Sequence, residues 1–314
     1  MSNNKSTEKI TIILIYFLIK MTVFILLGAD GYFGRNFQYY LALKSINFIA
    51  VDKNIPDEFY EDTLIQQYIL DYIRVDLNKN NCVKDIVDVF DFLSDNVIII
   101  NFAAISFVDY SISHPEETIN NNLNCCINGY KLAEHFKAKY VYISTDEVRV
   151  NKNENELSPY IVSKRKCEEY LKGKDCFIMR PVNLMDVITP FVKGLKQKNK
   201  CLLNNIVDVI KSKTGSVKLH KGNQKRMFMT IETACDVLFD ISEDIDIVEM
   251  PKLRTNDLLI RDIVYFLQYV YKFEVEEIDN PRGIYQDDTY LNVHEKYKPS
   301  SLKSILNSVV RMTK

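Results

Sequence analysis

Two groupings of polar side chains carry the chemistry this chain could do. Ser144-Thr145-Asp146-Glu147 places hydroxyls and two adjacent carboxylates directly after a run of strand formers, Tyr140–Ser144. Two carboxyl groups in unlike surroundings can divide acid and base work. Ser, Thr and Asp also cap helices and turns, and that structural reading competes at the same positions. Tyr160 precedes Lys164 by one helical turn, so in a helix the two share a face. An ammonium beside a phenol stabilises phenolate and lowers the phenol's pKa. Tyr160 would then accept the proton of an alcohol that loses hydride. A Tyr-x-x-x-Lys pair is common in itself and takes its meaning from its surroundings.

A third grouping is built of glycine. Gly28-Ala29-Asp30-Gly31-Tyr32-Phe33-Gly34 links an apolar run to a helical one. Glycines there permit a tight turn and close approach of a pyrophosphate to backbone N–H groups at a helix start. Three loop glycines can be mere turn chemistry, but Asp52 closes the next apolar run. An acid at that point accepts hydrogen bonds from adenosine ribose hydroxyls and repels a 2′-phosphate. The pattern therefore favours NAD over NADP, against the alternative that Asp52 is a solvated loop carboxylate.

The elements that must position these groups alternate. Strands are predicted at Thr22–Gly28, Asn47–Asp52, a short stretch ending near Val75, Asn96–Asn101, Tyr140–Ser144 and Cys176–Arg180. Helices are predicted at Phe33–Lys44, Cys82–Leu93, Glu116–Phe136 and Ser158–Leu171. Continuous apolar strands alternating with helices imply a parallel sheet covered on both faces. Right-handed crossovers make it a doubly wound, Rossmann-type α/β sheet whose ligands sit beyond the carboxyl ends of the strands. The rhythm changes after Arg180. The expected organisation is an extension over residues 1–20, a nucleotide-binding domain over 21–180 and a smaller mixed α/β lobe over 181–314.

Composition narrows the class. The 314 residues are 47% apolar and 26% charged, which excludes wholesale disorder. Forty basic against 42 acidic side chains leave a net charge of -2, no footprint for nucleic acid or an anionic membrane. Seven cysteines with no CxxC pair argue against a disulfide framework or a Cys-rich zinc site and for a reducing, cytoplasmic setting. His114, His135, His220 and His294 lack ligand spacing, so no metal is expected. Ile10–Lys20 and the apolar residues after it approach membrane-spanning length. Lys20 interrupts them, the second half serves better as a buried strand, and Met21 would be a plausible alternative start.

These residues resemble the extended short-chain dehydrogenase/reductases that act on nucleotide sugars, from Thr22 to about Val293. The glycine turn matches through Gly28, Gly31, Tyr32, Phe33 and Gly34. Val75-Asp76-Leu77 is similar to the family's adenine-contacting segment, and Asn101-Phe102-Ala103-Ala104 to the alanine pair beneath the cofactor. Val108-Asp109-Tyr110-Ser111, Pro115 and Asn122 follow the pattern of the next helix. Tyr160 and Lys164 match the family's catalytic pair, which also contacts the cofactor. Asn183 and Arg226 stand in segments that resemble those meeting the nucleotide diphosphate. The resemblance implies bound NAD, a nucleotide-sugar substrate and a homodimer formed through Glu116–Phe136 and Ser158–Leu171.

Within that family, Ser144–Val148 most resembles the dTDP-glucose 4,6-dehydratases. There Thr145 would hold the sugar's 4-hydroxyl, Asp146 would protonate the leaving 6-hydroxyl and Glu147 would take the proton from carbon 5. Tyr160, with Lys164, would assist hydride loss from carbon 4. The substrate side departs from the pattern. The span from Thr145 to Tyr160 is short, Arg149-Val150 replace Tyr-Gly, Phe107 stands where dehydratases usually carry His, and Asp288-Thr289-Tyr290 replaces Arg-Arg-Tyr. A 4-epimerase, a 4-keto-sugar reductase and a catalytically silent NAD-binding relative therefore remain as alternatives.

Overall fold

The computed structural model describes residues 22–90, 96–150, 152–186, 188, 202–213, 215–220, 228–243, 259–278, 307 and 309–310. Ile10–Lys20, Arg226 and Asp288–Tyr290 lie outside them. Strands β1 (Val23–Leu27), β2 (Phe48–Asp52) and β4 (Val97–Asn101) are buried at every position. A strand presents alternate side chains to opposite faces, so such runs need cover on both. With β3 (Ile69–Arg74), β5 (Lys139–Ile143) and β6 (Phe177–Met179) they form one parallel sheet in the order β3-β2-β1-β4-β5-β6. This is a Rossmann-type doubly wound sheet. Its order reverses between β1 and β4, and the crevice for a ligand opens there.

The alternation of β1 divides the core. Phe24 and Leu26 face a layer containing α1 (Tyr32–Leu43), while Val23, Ile25 and Leu27 face α3 (Cys82–Phe90) and α5 (Pro115–Phe136). The helix α6 (Pro159–Leu171) packs along α5. Pro at the first turn, where an N–H is not needed, starts both α5 and α6. The strands begin and end within a residue or two of the positions expected from sequence.

Several short elements have bounds that the sequence did not give. A 3-10 turn (Glu58–Glu61) and α2 (Thr63–Tyr68) fill the β2–β3 connection. The short α4 (Val108–Ser113) breaks away from α5 at His114, because Pro115 disfavours helical backbone in the residue before it.

Beyond β6, β7 (Asn183–Met185) pairs with β9 (Phe228–Thr230). The strand β8 (Ser216–His220) pairs with β10 (Glu274–Ile278). A separate small core gathers α7 (Leu202–Ser212) and α9 (Ile260–Tyr271). The helix α8 (Ile231–Glu243) joins the core of the large sheet instead. Phe239 stacks on Phe24 at 6.3 Å, and the Tyr40 hydroxyl donates to Asp236 at 2.6 Å. Among the described residues no helix is long and apolar enough to cross a membrane. The described cysteines are free thiols, most of them buried.

Candidate active site

The turn after β1 requires glycine at two points for packing reasons. Gly28 has φ +75°, and a Cβ there would stand 2.5 Å from the Ala103 nitrogen. A Cβ on Gly34 would stand 2.6 Å from the Ala29 carbonyl oxygen. Gly31 differs: a Cβ there would meet only the Gly28 oxygen, at 3.3 Å, and the residue faces the crevice on both sides. The helix α1 starts at Gly31 with no side-chain cap, which leaves the positive end of its dipole turned to the crevice.

The crevice has two lobes that share Gly31, Phe102, Ala104, Ser106 and Phe107. One lobe, of about 390 Å³, lies over the strand ends of the β1–β2–β3 half. Gly28, Asp52, Asp76, Leu77, Ala103 and Ala104 line it. Asp52 accepts from the backbone N–H of Asp30 at 3.0 Å and of Asn54 at 3.1 Å. Burial and the charge of Asp30 push its pKa up, against those hydrogen bonds. Asn101 accepts from the Ala103 N–H at 3.0 Å. Asn122 grips the same loop by accepting from the Ile105 N–H at 2.7 Å and donating to the Ile105 carbonyl at 3.1 Å. These buried amides explain how an irregular segment holds its shape against the sheet.

The other lobe, of about 460 Å³, holds the chemistry-bearing residues. Thr145, Asp146, Glu147, Tyr160, Lys164 and Asn183 line it together with Tyr32, Phe33 and Gly34. The structure thus brings together every site residue expected from sequence except Arg226, which lies outside the described residues. It adds Phe102 and Ser106 at the junction of the lobes. Ser106 carried no sequence signal beyond its closeness to Ala103-Ala104.

Thr145 also satisfies the capping reading. It is the N-cap of the 3-10 turn Asp146–Arg149, and its hydroxyl accepts from the Glu147 N–H at 3.4 Å. The cap turns Glu147 into the lobe, so capping and lining are one arrangement. Arg149 lies 3.9 Å from Asp146. The short Thr145–Tyr160 span is tied down by Arg165, whose guanidinium donates to the carbonyls of Val148, Val150 and Lys152. Below it, Ser144 donates to Glu168 at 2.5 Å, and Arg180 clamps the same carboxylate at 2.9 and 2.8 Å.

The Tyr160–Lys164 pair corrects one expectation. The Tyr160 pKa is raised, not lowered: burial and the Glu147 charge both disfavour phenolate, and the Thr145 hydrogen bond only partly opposes them. The Lys164 ammonium donates to the Ile143 carbonyl at 2.7 Å and the Tyr142 hydroxyl at 3.2 Å. Burial pulls its pKa down. The shared helical face holds, yet the ammonium is directed toward the sheet.

Residues 24–249 match the sequence profile of the NAD dependent epimerase/dehydratase family. The chain belongs to this family. NAD is the family's cofactor, and the open face at Gly31, the uncapped start of α1 and the Asp52 carboxylate fit such a dinucleotide.

Solved structures share the fold. A UDP-glucose 4-epimerase of Thermotoga maritima, with UDP-glucose, is 14% identical with TM-score 0.72, covering 93% of this chain and 98% of its own. A UDP-glucose 4-epimerase of Stenotrophomonas maltophila, with bound NAD and formylated UDP-arabinopyranose, is 14% identical with TM-score 0.69 over the same shares. The ADP-L-glycero-D-manno-heptose-6-epimerase of Helicobacter pylori is 19% identical with TM-score 0.69, covering 94% and 97%. At these identities the likeness is one of fold. No curated protein sequence matches the chain.

Proposed function

We propose that this family member acts on a nucleotide sugar as an NAD-dependent 4,6-dehydratase, making a 4-keto-6-deoxy sugar nucleotide. The observation that carries this reading is the placement of Asp146 and Glu147 side by side in the lobe that holds Tyr160, with the Glu147 charge acting on the Tyr160 phenol. A simple alcohol oxidation needs neither carboxyl group beside the Tyr160 phenol. Elimination of water across two carbons needs both a base and an acid.

In this reading the Thr145 hydroxyl holds the sugar's 4-hydroxyl and Tyr160 receives its proton. Lys164, anchored to Ile143 and Tyr142, stands 6.0 Å from the centre of the Tyr160 ring. Glu147 removes the proton at carbon 5 and later returns it there, and Asp146 gives one to the oxygen leaving carbon 6 and recovers it from the proton taken by Tyr160, so only water departs. NAD, when bound, would supply both hydride acceptance and hydride return within one cycle, so none would be consumed. Asn183 and Arg226 meet the diphosphate. Gly28, Gly31, Tyr32, Phe33, Gly34, Asp52, Asp76, Leu77, Ala103 and Ala104 hold NAD.

A second reading, 4-epimerisation, has its own support. The solved relatives with UDP-sugars are named 4-epimerases. Incubation of the purified chain and NAD with dTDP-glucose and UDP-glucose separates the readings. A product lighter by one water establishes dehydration. A product of unchanged mass and inverted carbon 4 establishes epimerisation and overturns the dehydratase.

A further inference from the structure

The glycine turn carries an acidic residue, Asp30, that neither the turn geometry nor the proposed chemistry uses. It is 4% exposed, and a carboxylate buried so deeply needs partners. Tyr60, from the 3-10 turn after β2, donates to it at 2.7 Å, and Tyr72, from β3, donates at 3.0 Å. The Arg35 guanidinium stands 3.5 Å away and is also held by Asp57 at 2.8 Å. On its other side the Asp30 N–H donates to Asp52. Tyr72 also reaches the Asn54 carbonyl at 3.0 Å, so the loop after β2 is tied to Asp30 as well.

Asp30 therefore stands between Asp52 and the one buried guanidinium near this lobe among the described residues. Four acids line the lobe, Asp30, Asp52, Asp76 and Glu117, against one lysine, Lys53. Arg35 does not line it. Recognition of a 2′-phosphate wants a cationic fork at the ribose. Here Asp30 adds a negative charge and holds the nearest such fork away.

We infer that Asp30 is a second determinant of cofactor choice, acting beside Asp52 to admit NAD and exclude NADP. The inference rests on the assignment of this lobe to the adenosine end of NAD. Both carboxylates would repel the 2′-phosphate, and the tyrosine and arginine contacts keep Asp30 from turning away.

Direct calorimetric titration of the purified full chain with NAD and with NADP tests this. In Asp30→Asn the ratio of Kd for NADP to Kd for NAD should fall by about tenfold or more, as removal of one nearby charge implies. It should fall further in the Asp30→Asn/Asp52→Asn pair. A ratio within about twofold of the wild-type value, on a tenfold scale of 1.4 kcal/mol, overturns the inference while NAD binding itself stands. A wild-type chain that binds neither dinucleotide, or both equally, overturns the cofactor reading and this inference together. If Asp30→Asn does not fold, Asp30→Ala/Tyr60→Phe/Tyr72→Phe removes both sides of the buried hydrogen bonds at once, the exchange proteins tolerate best. The same fall in ratio is expected there, and the same constancy overturns the inference.

Discussion

The Lys164 ammonium lies 6.0 Å from the centre of the Tyr160 ring and spends its hydrogen bonds on Ile143 and Tyr142. The two residues share a helical face but do not form a direct phenol–ammonium pair. Burial and the Glu147 charge set the direction of the Tyr160 pKa, opposed in part by the Thr145 hydrogen bond.

Tyr160→Phe should therefore separate binding from chemistry. Turnover is expected to fall by about a hundredfold to ten-thousandfold, the usual worth of a positioned proton acceptor. NAD affinity, read by titration, should change far less. A variant with near wild-type turnover would remove Tyr160 from the reaction.

The raised Tyr160 pKa has a signed consequence. Phenolate is disfavoured by burial and by Glu147, so proton acceptance should improve as pH rises. Glu147→Gln removes one of those two causes and lowers the Tyr160 pKa. In single-turnover oxidation, followed by the absorbance of reduced NAD, the rising limb of the pH profile should move to lower pH. In the proposed dehydratase reading water loss should also stop in the same variant, with Glu147 as the base at carbon 5.

Asp52 gives a linkage prediction. Its pKa is raised in the folded chain, so the folded state binds more protons than the unfolded one between the two values. Stability from this group is present at low pH and lost as pH rises through the folded pKa. Melting of the cofactor-free protein should show Asp52→Asn gaining on the wild type as pH increases through that window. A constant or shrinking difference would contradict the sign.

Gly28→Ala should be costly without touching the chemistry. The added Cβ meets the Ala103 backbone at 2.5 Å from a left-handed conformation. A loss of roughly 2–4 kcal/mol is expected from strain and overpacking, visible as a lower denaturation midpoint together with weakened NAD binding.

Glu168→Ala should loosen the floor of the site. It removes the carboxylate that now holds both Ser144 and the Arg180 guanidinium. The pair is partly exposed, so about 1–3 kcal/mol is expected. Thermal melting measures it, and an unchanged midpoint would show the clamp to be without weight.

Local pattern was enough for much of this protein. Runs such as Val97–Asn101 admit no polar face, so they must be buried strands in a parallel sheet, and the glycine turn with Asp52 then marks the cofactor end. Thr145, Asp146 and Glu147 could be set beyond a strand end, and Tyr160 and Lys164 on one helical face, because those relations are short in sequence; their joining in one site was implied by the family resemblance.

Contacts between distant segments were decided only by the tertiary structure. That Tyr60, Tyr72 and Arg35 converge on Asp30 depends on how the β2–β3 connection folds back over α1. No periodicity encodes that path. The direction of the Lys164 ammonium and the upward shift of Tyr160 depend on desolvation, which exists only once the sheet and helices have closed around them. Spacing along the chain says which side chains can meet, while burial sets their charge and their hydrogen-bond partners.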